Sequence, residues 1–212
     1  PMLIDSADAE FSSGLRELSG HYGMEVGDAA INACVGHFQV LRKWNRVMNL
    51  VGDLTAESAI YRHYGESLFL ASTLSMRLRN VTDSGSGAGF PGIGVGAMCP
   101  DVQVELIEAR QKRCAFLRES TRCLPNVSVW NGVGDGYTGM TDMVVARAVD
   151  IGLVLDFADR RNVRICLLIG ETDAEKWRSS LGSRGRQCAL VPVPWRPQSV
   201  VFSTMDADIS QG

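Results

Sequence analysis

Apolar side chains recur at helical spacing along the first third of the chain. Phe11, Leu15, Leu18 and Tyr22 lie three or four residues apart, and Gly23 and Gly27 then break the pattern. From Asp28 a second stripe runs through Ile31, Val35, Phe38, Leu41, Trp44 and Met48, which predicts one long amphipathic helix. Asp53 or Thr55 can cap a third helix carrying Ile60, Tyr64, Leu68, Leu70 and Leu74. Residues 1–78 are therefore expected to form a helical extension.

After Asn80 the pattern changes. Short strands are predicted at Val81–Asp83, Val102–Ile107, Val127–Trp130 and Met143–Ala146, with helices at Gly92–Cys99, at Gln111–Leu124 and from Leu153. Val163–Ile169 is a continuous apolar run, as expected of a strand buried on both faces. A helix over Thr172–Leu181 follows, and Gln187–Val193 with Ser199–Ser203 reads as a closing antiparallel pair. Strands alternating with helices predict an α/β domain over residues 79–212, built on an open, mostly parallel, Rossmann-like sheet.

Composition narrows the classes. Of the 212 residues 45% are hydrophobic and 21% charged, enough for a full core. No run approaches the roughly 18 apolar residues of a membrane span, and the acidic start (Asp5, Asp8, Glu10) is unlike a targeting peptide. A net charge of −3 gives nucleic-acid binding no bulk support, although a local basic face would suffice. The six cysteines include no Cys-x-x-Cys pair, so reduced, buried thiols in a cytoplasmic protein without a metal are expected.

The richest chemistry lies in Asp83-Ser84-Gly85-Ser86-Gly87-Ala88-Gly89-Phe90-Pro91-Gly92. Two templates fit it. Gly87-Ala88-Gly89-Phe90-Pro91-Gly92 matches the dinucleotide pattern, with Glu108 about twenty residues on as its ribose acid. Asp83, Gly85 and Gly87 instead match Asp-x-Gly-x-Gly, which suits S-adenosylmethionine. An acid beside the turn fits a cationic ligand and repels a pyrophosphate. Glu108 would then accept both ribose hydroxyls. A purely structural glycine turn is the third reading.

Leu41-x-x-Trp44-Asn45-x-x-x-Asn49-Leu50, Arg62-His63-x-x-Glu66-Ser67-Leu68, the loop through Ile93, Lys112-Arg113-x-x-Phe116-Leu117-Arg118 and Ala146-Arg147-Ala148 occur in that order. Together they resemble the RsmG (GidB) family, the small-subunit ribosomal RNA guanine-N7 methyltransferases. The resemblance runs from about residue 38 to about 150. It implies a seven-stranded S-adenosylmethionine-dependent fold with a helical extension, and ribosomal RNA or the small ribosomal subunit as partner. A monomer is expected. The implied donor site comprises Asp83, Gly85, Ser86, Gly87, Gly89, Phe90, Glu108, Ala109, Gly134, Asp135 and Arg147. Arg147 and His63 are the implied catalytic residues. Where the family has an arginine-bearing segment after its third strand, this chain has Gly132-Val133-Gly134-Asp135-Gly136. Where it has Leu-Lys-Gly after the fifth, this chain has Leu168-Ile169-Gly170. Both changes remove a cation from the acceptor side, which would fit another acceptor or reduced turnover.

Guanine N7 carries a lone pair and no proton, so its methylation needs alignment and exclusion of water rather than a general base. The segment after the fourth strand, Ala146-Arg147-Ala148-Val149, lacks both the Asn/Asp-Pro-Pro-aromatic device of amine methylation and a Pro-Cys nucleophile. Arg147 can fork onto guanine O6 or a phosphate. Trp44 can stack on a base or pack in the core, and Asn45 with Asn49 can bridge the extension to the glycine loop. Arg110, Lys112, Arg113, Arg118 and Arg122, then Arg160, Arg161 and Arg164, form two basic groups that face either RNA or solvent.

Overall fold

The computed structural model describes residues 5–74 and 77–204, so the outer ends of both predicted segments lie outside the described residues. Helix α1 (Ser6–His21) opens on a reciprocal Asp5–Asp8 capping box, and α2 (Asp28–Met48) ends with Asn49 in the left-handed conformation. The predicted third α-helix is different. Ser58–Gly65 winds as a wide π-helix that runs on into α3 (Glu66–Ser72), and Leu74 falls beyond its end. Thr55 Oγ1 accepts the Ser58 amide at 3.2 Å, while Asp53 holds the turn before it. The wide turn is fixed by tertiary packing. A Cβ on Gly65 would stand 2.5 Å from the Ile60 carbonyl oxygen and 2.7 Å from Leu18 Cδ2.

The sheet contains β1 (Asn80–Ser84), β2 (Gln103–Glu108), β3 (Val127–Asn131), β4 (Met143–Arg147), β5 (Arg164–Gly170), β6 (Cys188–Val193) and β7 (Arg196–Thr204). Their order is β3-β2-β1-β4-β5-β7-β6, and all neighbours are parallel except the pairs that β7 makes with β5 and β6. The closing antiparallel pair therefore inserts its second strand beside β5. Helices α4 (Gly92–Met98) and α5 (Gln111–Ser120) cover one face, and α6 (Ile151–Arg161) and α7 (Glu171–Gly182) the other. Helix α5 stops short of the predicted Leu124, where Ser120 and Thr121 turn their hydroxyls back onto the Leu117 carbonyl.

The apolar run of β5 divides between two cores. Cys166 and Leu168 enter the core beneath α1 to α5, and Ile165 and Leu167 enter the core beneath α6 and α7. Leu18, Tyr64 and Leu68 of the extension share the first core with Val81 and Leu106 of the sheet. The extension is thus packed into the sheet domain's own core, where each fully buried Leu or Phe contributes about 2 kcal/mol of transfer free energy. Strand order reverses between β1 and β4, which opens a crevice at the carboxyl edge of the strands.

Candidate active site

The loop after β1 fills that crevice. Gly85, Gly87 and Gly89 all have positive φ (74°, 56° and 91°), so the backbone takes a path that side-chain-bearing residues resist. The amides of Gly85 and Ser86 both donate to the Ile107 carbonyl at 3.0 Å, and the Gly87 amide donates to Glu108 Oε2 at 3.1 Å. Ser86 Oγ donates to the Asp83 carbonyl. From α2 the loop is backed by His37, whose Nδ1 lies 2.6 Å from the Tyr64 hydroxyl, and a Cβ at Gly89 would come within 3.1 Å of His37 Nε2. Burial pushes the His37 imidazole down to about 3, against the pull of the Ala88 carbonyl.

Asp83 sits behind this loop. Its side chain is fully buried, and Oδ2 accepts the amide of Gly92 at the start of α4 at 3.0 Å. Burial pushes the carboxyl up to about 7, opposed by the Gly92 amide and aided by the nearby Glu108 charge. Rather than facing a cationic ligand in the open crevice, Asp83 shapes the loop from beneath. This arrangement separates the two templates. A dinucleotide fold leaves the helix N-terminus free for pyrophosphate, whereas here a carboxyl group occupies that amide.

Glu108 is held by two backbone donors, Gly87 to Oε2 and Arg110 to Oε1 at 2.8 Å, with Arg113 Nη1 3.8 Å away. Each carboxylate oxygen keeps a further lone pair, so a ribose diol can be accepted by a group already fixed in orientation. Ala109 is exposed beside it, and its carbonyl accepts from Asn131. Asp135 is 78% exposed on the turn after β3 and pairs with Arg160 of α6. Its basic partner, absent from the local sequence, is supplied from another helix. Gly134 packs against Phe157, whose ring a Cβ would meet at 3.1 Å.

In front of the loop lies a cavity of about 340 Å³, lined by Leu50–Asp53, Arg62, His63, Gly85–Ala88, Phe90, Arg113, Arg147 and Ala148. His63 stacks nearly parallel on Phe90 (centroids 5.5 Å apart, 18° between planes), and its Nε2 donates to the Asp53 carbonyl at 2.8 Å. Burial lowers it to about 4, so the ring is neutral and holds the loop over Leu50–Asp53. Asn45 holds the same loop by exchanging two hydrogen bonds with the Val51 backbone; it does not reach the glycine turn. Ala148, next to Arg147, has φ of 53°, a strained left-handed conformation at the cavity wall.

Arg147 and His63 thus line one cavity. Arg147 donates from Nη1 to the Arg62 carbonyl at 2.8 Å, and its Nη2 lies 3.1 Å from Oε2 of Glu66. Other expectations resolve into packing. Trp44 donates to Glu119 at 2.9 Å and meets Phe116 edge-on, which leaves it in the helix interface. Arg161 lies over Tyr137 and Phe157 and donates to the Tyr137 and Gly139 carbonyls, so it braces the turn after β3. Among the basic residues at α5, Arg113 lines the cavity, whereas Arg110, Lys112, Arg118 and Arg122 are exposed. Among the described residues, no cluster of three or more His, Cys, Asp or Glu could hold a metal, and no helix is long and apolar enough to cross a membrane.

The sequence pattern of the GidB family, described as rRNA small subunit methyltransferase G, matches residues 30–166. The chain belongs to this family. The ribosomal RNA small subunit methyltransferase G of Acetivibrio thermocellus is 30% identical over 154 residues, covering 69% of this chain and 64% of that protein. Its counterpart in Nitrosomonas europaea is 39% identical over 116 residues, 53% of each chain. This chain therefore spans less than two thirds of these GidB relatives' length. The fold is also that of Aeropyrum pernix fibrillarin crystallised with S-adenosyl-L-methionine (TM-score 0.54, 13% identity, 68% of this chain and 75% of that one). It likewise matches the 23S rRNA methyltransferase ErmE (TM-score 0.52, 18% identity, 71% and 72%).

Arg196 lines a second cavity together with Ile169, Arg62 and Arg147. Arg196 stands at the start of β7, 27 residues further along the chain than Ile169. No local motif marks it, because only the antiparallel insertion of β7 carries it to this edge.

Proposed function

We propose that this chain is an S-adenosylmethionine-dependent methyltransferase that modifies N7 of a guanine in small-subunit ribosomal RNA. The observation that carries the reading is the glycine loop. Its left-handed turns and its Gly87–Glu108 bond form a cradle at the strand edge, while Asp83 occupies the helix-start amide that a pyrophosphate would need. Membership of the GidB family supports ribosomal RNA as the substrate class.

S-adenosylmethionine, when bound, supplies a methyl group activated on a sulfonium. The chain's own task is to hold the partners in line and exclude water. Gly85, Ser86 and Gly87 offer the backbone floor, and Glu108 orients a ribose. Gly134 and Asp135, on the turn after β3, would border the adenine end. His63 is neutral, with its Nε2 proton given to Asp53, and serves as wall rather than base. Arg147 would use a remaining N–H to donate to guanine O6 and leave the N7 lone pair free.

The test is nucleoside analysis by mass spectrometry after incubating small-subunit ribosomal RNA with protein and isotopically labelled donor. Labelled 7-methylguanosine is the expected product. Its absence, with the donor bound, would move the acceptor elsewhere. Binding of NADH without binding of S-adenosylmethionine or S-adenosylhomocysteine would overturn the cofactor.

A further inference from the structure

Three arginines from distant parts of the chain meet beside the donor cavity. Arg62 comes from the π-helix, Arg147 from the end of β4 and Arg196 from the start of β7. They line a cavity of about 240 Å³ together with Ile169, Glu66 and Asp173. Arg62 and Arg147 also line the donor cavity, so the two spaces adjoin.

One buried carboxylate organises this group. Glu66 is 2% exposed; Arg147 Nη2 lies 3.1 Å from its Oε2 and Arg196 Nη1 2.8 Å from its Oε1. Oε1 receives no aligned hydrogen bond. The Arg196 contact is therefore a charge contact, and the guanidinium keeps donors for another partner. Arg62 has no carboxylate within ion-pair distance among the described residues. The wall carries three arginines against two carboxylates, and one of those, Glu66, is engaged from behind. Burial lowers the Arg147 guanidinium from its ordinary value; the Glu66 charge opposes this, and the positive charges of Arg62 and Arg196 add to it by smaller amounts. A site crowded with like charge in this way is stabilised by an anion.

Arg196 is held firmly in place. It follows the two-residue turn Pro194–Trp195 between β6 and β7. Trp195 donates from Nε1 to the Tyr61 carbonyl at 2.8 Å and packs against Tyr22 and Phe69. The hairpin is thus anchored to the helical extension one residue before the cation, and β7 runs antiparallel so that its first residues overhang the ligand edge.

We infer that Arg196 and Arg62, steadied by Glu66 and Trp195, bind an RNA backbone phosphate next to the acceptor base. This rests on the proposed RNA substrate, and it assigns to β7 the contact that the missing cation after β5 would otherwise make. Guanidinium donors match phosphate oxygens in geometry. A phosphate in this cavity would fix the register of the strand while Arg147 faces the base between the two cavities.

The experiment measures binding of purified small-subunit ribosomal RNA over a salt series, with donor affinity measured separately by calorimetry. Each lost phosphate contact should make the slope of log K against log salt shallower by about 0.7–0.9. Arg196→Ala and Arg62→Ala should each show this change, with RNA affinity at moderate salt reduced about five- to ten-fold, and Arg196→Ala, which lies outside the donor cavity, should keep donor affinity within about two-fold of wild type. Arg196→Lys should keep the slope. Unchanged slopes in both folded alanine variants overturn the proposal. If Arg196→Ala does not fold, Arg62→Ala decides alone, since its side chain carries no ion pair among the described residues. Loss of slope in a protein that transfers no methyl group would uphold the phosphate site and refute the chemistry instead.

Discussion

The Gly92 amide donates to Oδ2 of Asp83 at 3.0 Å across a loop whose residues between them bend back over the bond. The same approach leaves no room at Gly92. A Cβ there would stand 2.7 Å from Asp83 Oδ2 and 2.3 Å from Leu106 Cδ2. Gly92→Ala should therefore destabilise the fold by about 1–3 kcal/mol through overpacking. Chemical denaturation reads this directly, and a midpoint equal to wild type would show that the loop can yield.

Asp83 also gives stability a pH dependence. Its folded value, about 7, lies above the ordinary 3.8, so the native state binds the extra proton between these values. The contribution is whole below about 4 and is lost as pH rises through about 7. Asp83→Asn should flatten the stability profile across that window, by an amount on the order of 1–4 kcal/mol. An equally steep profile in the variant would assign the dependence to other groups.

His63 carries the opposite sign. Its folded value of about 4 is below the ordinary 6.5, so its contribution is present above 6.5 and is lost as pH falls toward 4. Methyl transfer should therefore show no inflection near pH 6.5 from this ring. His63→Ala should loosen Leu50–Asp53 and slow turnover at every pH, without removing a titrating step. A wild-type inflection near 6.5 that vanishes in the variant would make His63 an acid or base.

Glu66 faces two arginines from within the core edge. Removing it as Glu66→Ala leaves both guanidiniums without their buried counter-charge and should cost about 3 kcal/mol. Glu66→Gln keeps the shape and should cost less. Thermal unfolding of both variants separates charge from packing, and equal losses would put the effect on packing alone.

Gly87 has room for a Cβ, whose nearest neighbours would stand at ordinary contact distance, 3.8 Å. Its positive φ is the only obstacle, so Gly87→Ala should cost about 1–2 kcal/mol of backbone strain. Donor affinity should fall because the amide that holds Glu108 shifts. Calorimetry with S-adenosylhomocysteine checks this, and unchanged affinity would remove the loop from the binding surface.

Most of the fold was legible in the sequence because its signals are local. The stripes of α1 and α2 follow from helical periodicity, and β5 followed from an apolar run whose successive residues feed opposite cores. The glycine loop was legible for the same reason, since a turn after a strand is encoded by adjacent residues, and Glu108 was legible from its place at the end of the next strand. The side of the loop that Asp83 occupies was not, because the competing positions differ only in three dimensions. The π-helix was also hidden. Its apolar spacing reads as α-helical, and the wide turn depends on how Gly65 fits against Leu18 and Trp195. The sequence by itself determined the glycine loop, a contiguous turn with a fixed backbone requirement. Only the tertiary structure decided the arginine cluster beside it. Arg62, Glu66, Arg147 and Arg196 lie on separate elements, and charges far apart in the chain become one site only when β7 folds back beside β5.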